Sequence, residues 1–83
     1  MVDYIEVESA RYIDGYKLEL RFNNGKVNVV DFENFLFSSG HPEIQKYQDK
    51  SRFKNFNLTY GEVEWGDYDL VFPVADLYEK QEL

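Results

Sequence analysis

The most regular stretch of the chain is Tyr16–Phe22, where Tyr16, Leu18, Leu20 and Phe22 alternate with Lys17, Glu19 and Arg21. A two-residue period sends alternate side chains to opposite faces of a strand, so this segment predicts a strand with one dry and one wet face. Upstream, Ile5 and Val7 alternate and then lose phase near Ser9-Ala10, which predicts a first strand carrying a bulge. Asp14-Gly15 between the two apolar runs marks a hairpin, because glycine supplies the positive φ such turns need. Asn23-Asn24-Gly25 makes the next turn, with Gly25 in the left-handed position, and Lys26–Val30 follows as a third strand. Three strands joined by tight turns predict an antiparallel meander. In the third strand Val27 and Val29 are expected to face inward.

Helical spacing replaces alternation at Phe32, Phe35 and Leu36, which stand at i, i+3 and i+4. Asp31 is placed to cap this short helix, Glu33 suits its positive end, and Ser38-Ser39-Gly40 stops it. His41-Pro42 restarts a helical turn, since proline fits a first helical position, with Ile44 and Tyr47 as its buried points and Phe53 anchoring the chain beyond. Phe56, Leu58 and Tyr60 then alternate, as do Val63 and Trp65, with a slip of phase at Gly61. Either a tight hairpin turns around Tyr60-Gly61, the reading preferred here, or one long strand carries a bulge there. Leu70–Phe72 is a short apolar run ended by Pro73, and Asp76–Tyr78 reads as a last helical turn packing Leu77 and Tyr78 onto the sheet. The pattern predicts an α+β domain over residues 1–83: an antiparallel sheet beginning with a three-stranded meander, with short helices packed on one face. Its expected core is Leu18, Leu20, Phe22, Val27, Val29, Phe35, Leu58 and Trp65.

Composition narrows the function more than the fold. With 83 residues, the chain hides roughly 60% of its unfolded surface on folding, enough for one thin core. Seven Phe, seven Tyr and one Trp supply that core with few, large pieces. There is no cysteine, so disulfides, thiolate-bound metal and thiol catalysis are excluded. Met1–Glu6 lacks a positive region followed by an apolar one, no apolar run approaches the roughly 20 residues of a membrane helix, and the closing Lys80-Gln81-Glu82-Leu83 only echoes a retention signal. A cytoplasmic protein without a membrane partner is expected.

The net charge of −7 is uneven. Residues 62–83 carry seven carboxylates against Lys80, a net −6, and leave residues 1–61 at −1. Such a surface repels phosphate backbones, so no direct nucleic-acid binding is expected. Lys46, Lys50, Arg52 and Lys54 form a local basic cluster, expected to lie near the acidic segment and offset it. His41 beside Pro42 reads as a capping or surface residue. The glycines form no phosphate-binding loop, no nucleophile elbow is present, and no catalytic residue or cofactor is expected.

Three readings of the acidic loop 62–69 remain, the plainest being a solvated acidic surface. Glu62, Glu64, Asp67, Tyr68 and Asp69 surround Trp65 and suit a surface for a basic protein partner, with Tyr68 exposed and Trp65 inward. Alternatively Glu64, Asp67 and Asp69 are oxygen ligands for a divalent metal, or part of a small-ligand site, although the EF-hand pattern is not met.

Taken in order, Tyr16-Lys17-Leu18, Phe22-Asn23-Asn24-Gly25, Val30-Asp31-Phe32, Phe53, Trp65, Asp69 and the Pro73, Leu77, Tyr78 ending resemble a bacterial family, domain-of-unknown-function family 2442. The basic cluster at Lys46–Lys54 is not part of that pattern. The resemblance implies a small α+β domain without assigned enzyme activity. It also implies similarity to, and in some members fusion with, helix-turn-helix regulators, and pairing of some members with a second small protein in a toxin–antitoxin-like arrangement. This chain has no room for a helix-turn-helix, so any DNA binding would come from another chain.

Overall fold

The structure, a computed structural model, describes residues 4–66 and 70–83. Its strands are β1 (Val7–Tyr12), β2 (Lys17–Phe22), β3 (Val27–Asp31), β4 (Phe56–Thr59), β5 (Glu62–Trp65) and β6 (Leu70–Val71). Its helices are α1 (Glu33–Ser38), α2 (Pro42–Gln45), α3 (Lys50–Phe53) and α4 (Val74–Glu79), with a 3-10 turn at Lys46–Gln48. The fold is α+β, and its strands divide into two three-stranded antiparallel sheets, β1-β2-β3 and β4-β5-β6. The first is the expected meander. Its bulge falls between Val7 and Ser9, where one extra residue of β1 faces β2.

The turn between β2 and β3 decides what the first sheet buries. The Phe22 amide donates to the Lys26 carbonyl and the Gly25 amide to Phe22, with Gly25 at φ 91°. That closure places Leu20 opposite Asn28 and Leu18 opposite Val30. Residues directly opposite share a face, so burial of Leu18 and Leu20 brings Asn28 and Val30 inward. Val27 and Val29, expected in the core, are instead 44% and 40% exposed. The buried Asn28 is satisfied by α4: its Nδ2 donates to the Leu77 carbonyl at 2.9 Å and to the Lys80 carbonyl at 2.8 Å. Both lie at the end of α4, where helix carbonyls lack partners of their own. The same hairpin holds α4 further through Lys26, whose Nζ sits 3.9 Å from the Tyr78 ring centre and donates to the Tyr78 carbonyl. Beyond α4 the chain turns alongside β3, Asp31 bonding to Gln81 and Leu83.

The helical segment follows the sequence closely. The α1 cap is Phe32 rather than Asp31, but the Asp31 carboxylate still accepts from the Glu33 amide. His41 caps α2, its Nδ1 accepting from the Glu43 amide, and Asp49 does the same for α3 through Ser51. Tyr47, Phe53, Leu36 and Leu77 are buried; Phe35 is half-buried.

Between the sheets lies an aromatic cluster centred on Trp65, which is fully buried. Its ring stacks on Phe53 (5.5 Å, 24°) and meets Phe32, Phe72, Phe56 and Tyr47 at 5.5–6.4 Å. The indole N–H donates to the Phe53 carbonyl at 2.7 Å. Leu58 shares a face with Val63 but is 39% exposed, because β4 is an edge strand and its side chain overhangs the rim.

Two substitutions test these couplings. Asn28→Val improves the apolar pattern of β3, yet it strips two carbonyls of their donor; urea unfolding is expected to show a loss of about 1–3 kcal/mol. Trp65→Phe keeps an aromatic ring but leaves a void and an unsatisfied Phe53 carbonyl, for an expected loss of about 2–4 kcal/mol.

Candidate interaction site

Of the residues expected to meet a partner, Asp67, Tyr68 and Asp69 lie outside the described residues. Glu62 and Glu64 both belong to β5 but differ in access. Glu62 is half-buried near the hairpin turn, whereas Glu64 is only 4% exposed between Val63 and Trp65. Glu64 is therefore part of the folded interior. Among the described members, only Glu62 offers charge to solvent. Trp65 points inward, as its place in the core requires.

The geometry brings a different aromatic residue to the surface. β4 and β5 form a hairpin whose two turn residues, Tyr60 and Gly61, have φ of 51° and 78°. Both are positive, the conformation that matches the twist of two-residue hairpins. Tyr60 is 90% exposed at the tip. A tyrosine in the left-handed region carries strain of about 1–2 kcal/mol, which packing at Tyr60 cannot offset because its ring touches so little.

Gly61 joins this tip to the first sheet. Its carbonyl accepts from the Val7 amide at 2.9 Å. Glu6 lies directly over its α-carbon: a β-carbon there would stand 2.8 and 2.9 Å from the Glu6 Cβ and Cγ, and closer still to the carboxylate. Next to Glu6 is Tyr4, 67% exposed. Its hydrogen bond to the Glu6 carboxylate, together with the nearby negative charge, raises the Tyr4 hydroxyl above its ordinary pKa. Glu6 thus packs on the Tyr60-Gly61 turn and interacts with the exposed Tyr4 hydroxyl, while Glu62 follows the turn on β5. In the sequence Tyr60 was legible only as a turn residue. The nearness of Glu6 to the Tyr60-Gly61 turn needed the contact between the β1 segment and the hairpin.

The basic cluster is divided. Lys46 pairs with Glu43 at 3.0 Å and Arg52 with Asp49 at 4.0 Å. Both of those cations line a depression of about 240 Å³ together with Tyr47, Asn55 and Gly66, the residue that leads into Asp67. Lys50 and Lys54 lie instead over the Tyr16 and Tyr12 rings. Among the described residues, no group of three or more His, Asp or Glu is arranged to hold a metal ion, and no helix is long and apolar enough to cross a membrane.

Gly61→Ala tests the junction of hairpin and first sheet. Positive φ and the Glu6 contact act together, so the loss should exceed about 2 kcal/mol by denaturant unfolding. Adding Glu6→Ala should restore part of it, whereas Gly25→Ala, where a β-carbon meets nothing, has no counterpart of this rescue.

Comparison with family models matches residues 7–82 to a family described as a protein of unknown function, DUF2442. Comparisons with curated proteins and with solved structures found no match. The matched span runs from the first residue of β1 to the segment that pairs with Asp31, and the chain belongs to the DUF2442 family.

Proposed function

We propose that this chain is a small, non-enzymatic, cytoplasmic protein-interaction module, the neutralising or regulatory half of a bacterial two-gene pair, and that it binds a basic protein through the tip of the β4–β5 hairpin. One observation carries the reading. Tyr60 is held 90% exposed in a left-handed conformation, and its turn neighbour Gly61 packs against Glu6. A strained residue with no internal packing points to use at the surface, and tyrosine is a frequent interface anchor because it combines apolar area with few rotatable bonds. Glu6, which packs on Gly61, and Glu62, which follows it, would attract a cationic surface and speed encounter. Glu62 is the member of the acidic loop nearest this tip in sequence.

The decisive experiment separates stability from binding. Asn tolerates positive φ better than Tyr, so Tyr60→Asn is expected to leave the melting temperature unchanged or slightly raised. The same substitution should weaken binding to the product of the neighbouring gene about tenfold or more, by at least the 1.4 kcal/mol expected of an aromatic anchor. Association should slow as salt rises. An unchanged affinity and on-rate would place the interface elsewhere. Tight binding of Ca²⁺ or Mg²⁺ with shifts confined to residues 62–69 would favour a metal site instead.

A further inference from the structure

The turn between β2 and β3 carries the chain's only Asn-Gly pair, Asn24-Gly25. An asparagine followed by glycine can modify itself. Once the Gly25 amide gives its proton to a solvent base, its nitrogen can attack Asn24 Cγ, because glycine has no β-carbon to obstruct the approach. The other asparagines precede Asn, Val, Phe or Leu, whose side chains do obstruct it. Both residues of the pair are exposed to water, yet all the reacting groups are held. The Gly25 amide donates to the Phe22 carbonyl at 3.0 Å, and Asn24 Oδ1 accepts from the Lys26 amide at 3.0 Å. Asn24 Nδ2 donates to the Tyr78 hydroxyl at 2.8 Å. The first two bonds lie within the turn; the third comes from α4, 54 residues along the chain.

We infer that Asn24 is a deamidation site gated by α4: the docked helix holds it unreactive, and undocking lets it react. In the reaction a C–N bond forms between the Gly25 nitrogen and Asn24 Cγ, closing a cyclic imide. The Cγ–Nδ2 bond breaks, and the side-chain nitrogen takes a proton from water and leaves as ammonia. Water then adds to either ring carbonyl and opens the ring, leaving an aspartyl or an isoaspartyl residue in place of Asn24. Nothing is oxidised or reduced, and water is the only co-reactant. The attack needs a free Gly25 amide and an Asn24 carboxamide turned towards it, since orientation governs such intramolecular steps. The Tyr78 hydroxyl holds the carboxamide from its other end.

Tyr78 is itself held by the same hairpin. Its ring stands edge-on to Phe22 at 5.0 Å and lies 3.9 Å from Lys26 Nζ, and its carbonyl accepts from that Nζ at 2.8 Å. The hydroxyl therefore leaves Asn24 when the end of α4 leaves the hairpin. α4 has six residues, too few to stand as a helix without these contacts, and Leu77 is its buried residue. Short terminal elements of this kind open locally while the rest stays folded. The isoaspartyl product carries one more atom in the main chain, inside a turn whose closure sets the pairing of Leu20 with Asn28. A disturbed register takes Asn28 from the Leu77 and Lys80 carbonyls, so the modified chain holds α4 less well and the gate stays open. This site is separate from the Tyr60 tip, and its test does not depend on the role of that tip.

The full chain is incubated in mildly alkaline buffer beside a free peptide of residues 20–29, and deamidation at Asn24 is followed by peptide mapping and mass spectrometry. The folded chain should react at least about tenfold more slowly than the peptide, since only its locally open fraction reacts. Tyr78→Phe keeps the ring on Phe22 and removes only the hydroxyl; it should raise the rate about threefold or more, with a thermal melt confirming the fold. Leu77→Ala frees the end of α4 and should raise the rate further, to within about threefold of the peptide. Gly61→Ala, which weakens the fold away from α4, should change the rate by less than about twofold. The deamidated fraction, separated by its added negative charge, should exchange its α4 amide hydrogens faster. The proposal is overturned if the folded chain keeps pace with the peptide or if Tyr78→Phe leaves the rate unchanged. Equal acceleration by Gly61→Ala and Leu77→Ala, or α4 protection that survives deamidation, also overturns it.

Discussion

Burial of the Trp65 indole, with its N–H bonded to the Phe53 carbonyl, is the constraint on which the fold depends. A chain this short buries a thin core, and two separate three-stranded sheets would each be marginal alone. Trp65 belongs to β5, stacks on Phe53 of α3 and touches Phe32 before α1 and Phe72 after β6. One side chain thus bridges the second sheet and the helical segment. Phe53 carries the contact on to Tyr12 and Tyr16 of the first hairpin. The indole is large enough to bridge these elements and also supplies a donor for a buried carbonyl, which explains why its polar edge is not turned to water.

Aromatic packing of this kind has consequences at the surface. The interior takes the ring faces it can cover, and what remains is presented at two ends. At one, the β4–β5 turn is drawn against β1 by the Val7–Gly61 hydrogen bond and the Glu6–Gly61 contact, and Tyr60 stands exposed at its tip. At the other, the row from Phe53 through Tyr16 ends in the half-exposed ring of Phe37, with Lys50 and Lys54 over the tyrosines. The acidic balance of the whole chain therefore conceals a local division: Glu6 and Glu62 flank the hairpin turn, and Lys50 and Lys54 of the α3 segment lie over tyrosine rings.

Local chemistry was enough for much of the architecture. Alternation in Tyr16–Phe22, the glycines of the first two turns, the i, i+3, i+4 spacing after Asp31 and the His41-Pro42 start each constrain the backbone through nearby atoms, so the meander and the short helices were legible residue by residue. The hairpin at Tyr60-Gly61 was legible for the same reason. The inward position of Trp65 followed from its size in a small core.

What tertiary structure alone decided are the cases where the partner is far along the chain. Val27-Asn28-Val29-Val30 offers an apolar residue on either face, and hydrophobicity favours turning the two valines Val27 and Val29 inward. The opposite face won because the turn set the register and because α4, about fifty residues later, supplies two carbonyls that make a buried asparagine stable. Glu64 and Leu58 reversed expectation in a like manner: one lies within a buried strand, the other at an exposed edge, and strand order across a sheet is not written in either strand's own pattern. The sequence determined which segments are strands and helices, because those preferences are local. It left open which residues meet across the core and which reach the surface together, because those depend on contacts between elements that are adjacent only once the chain has folded.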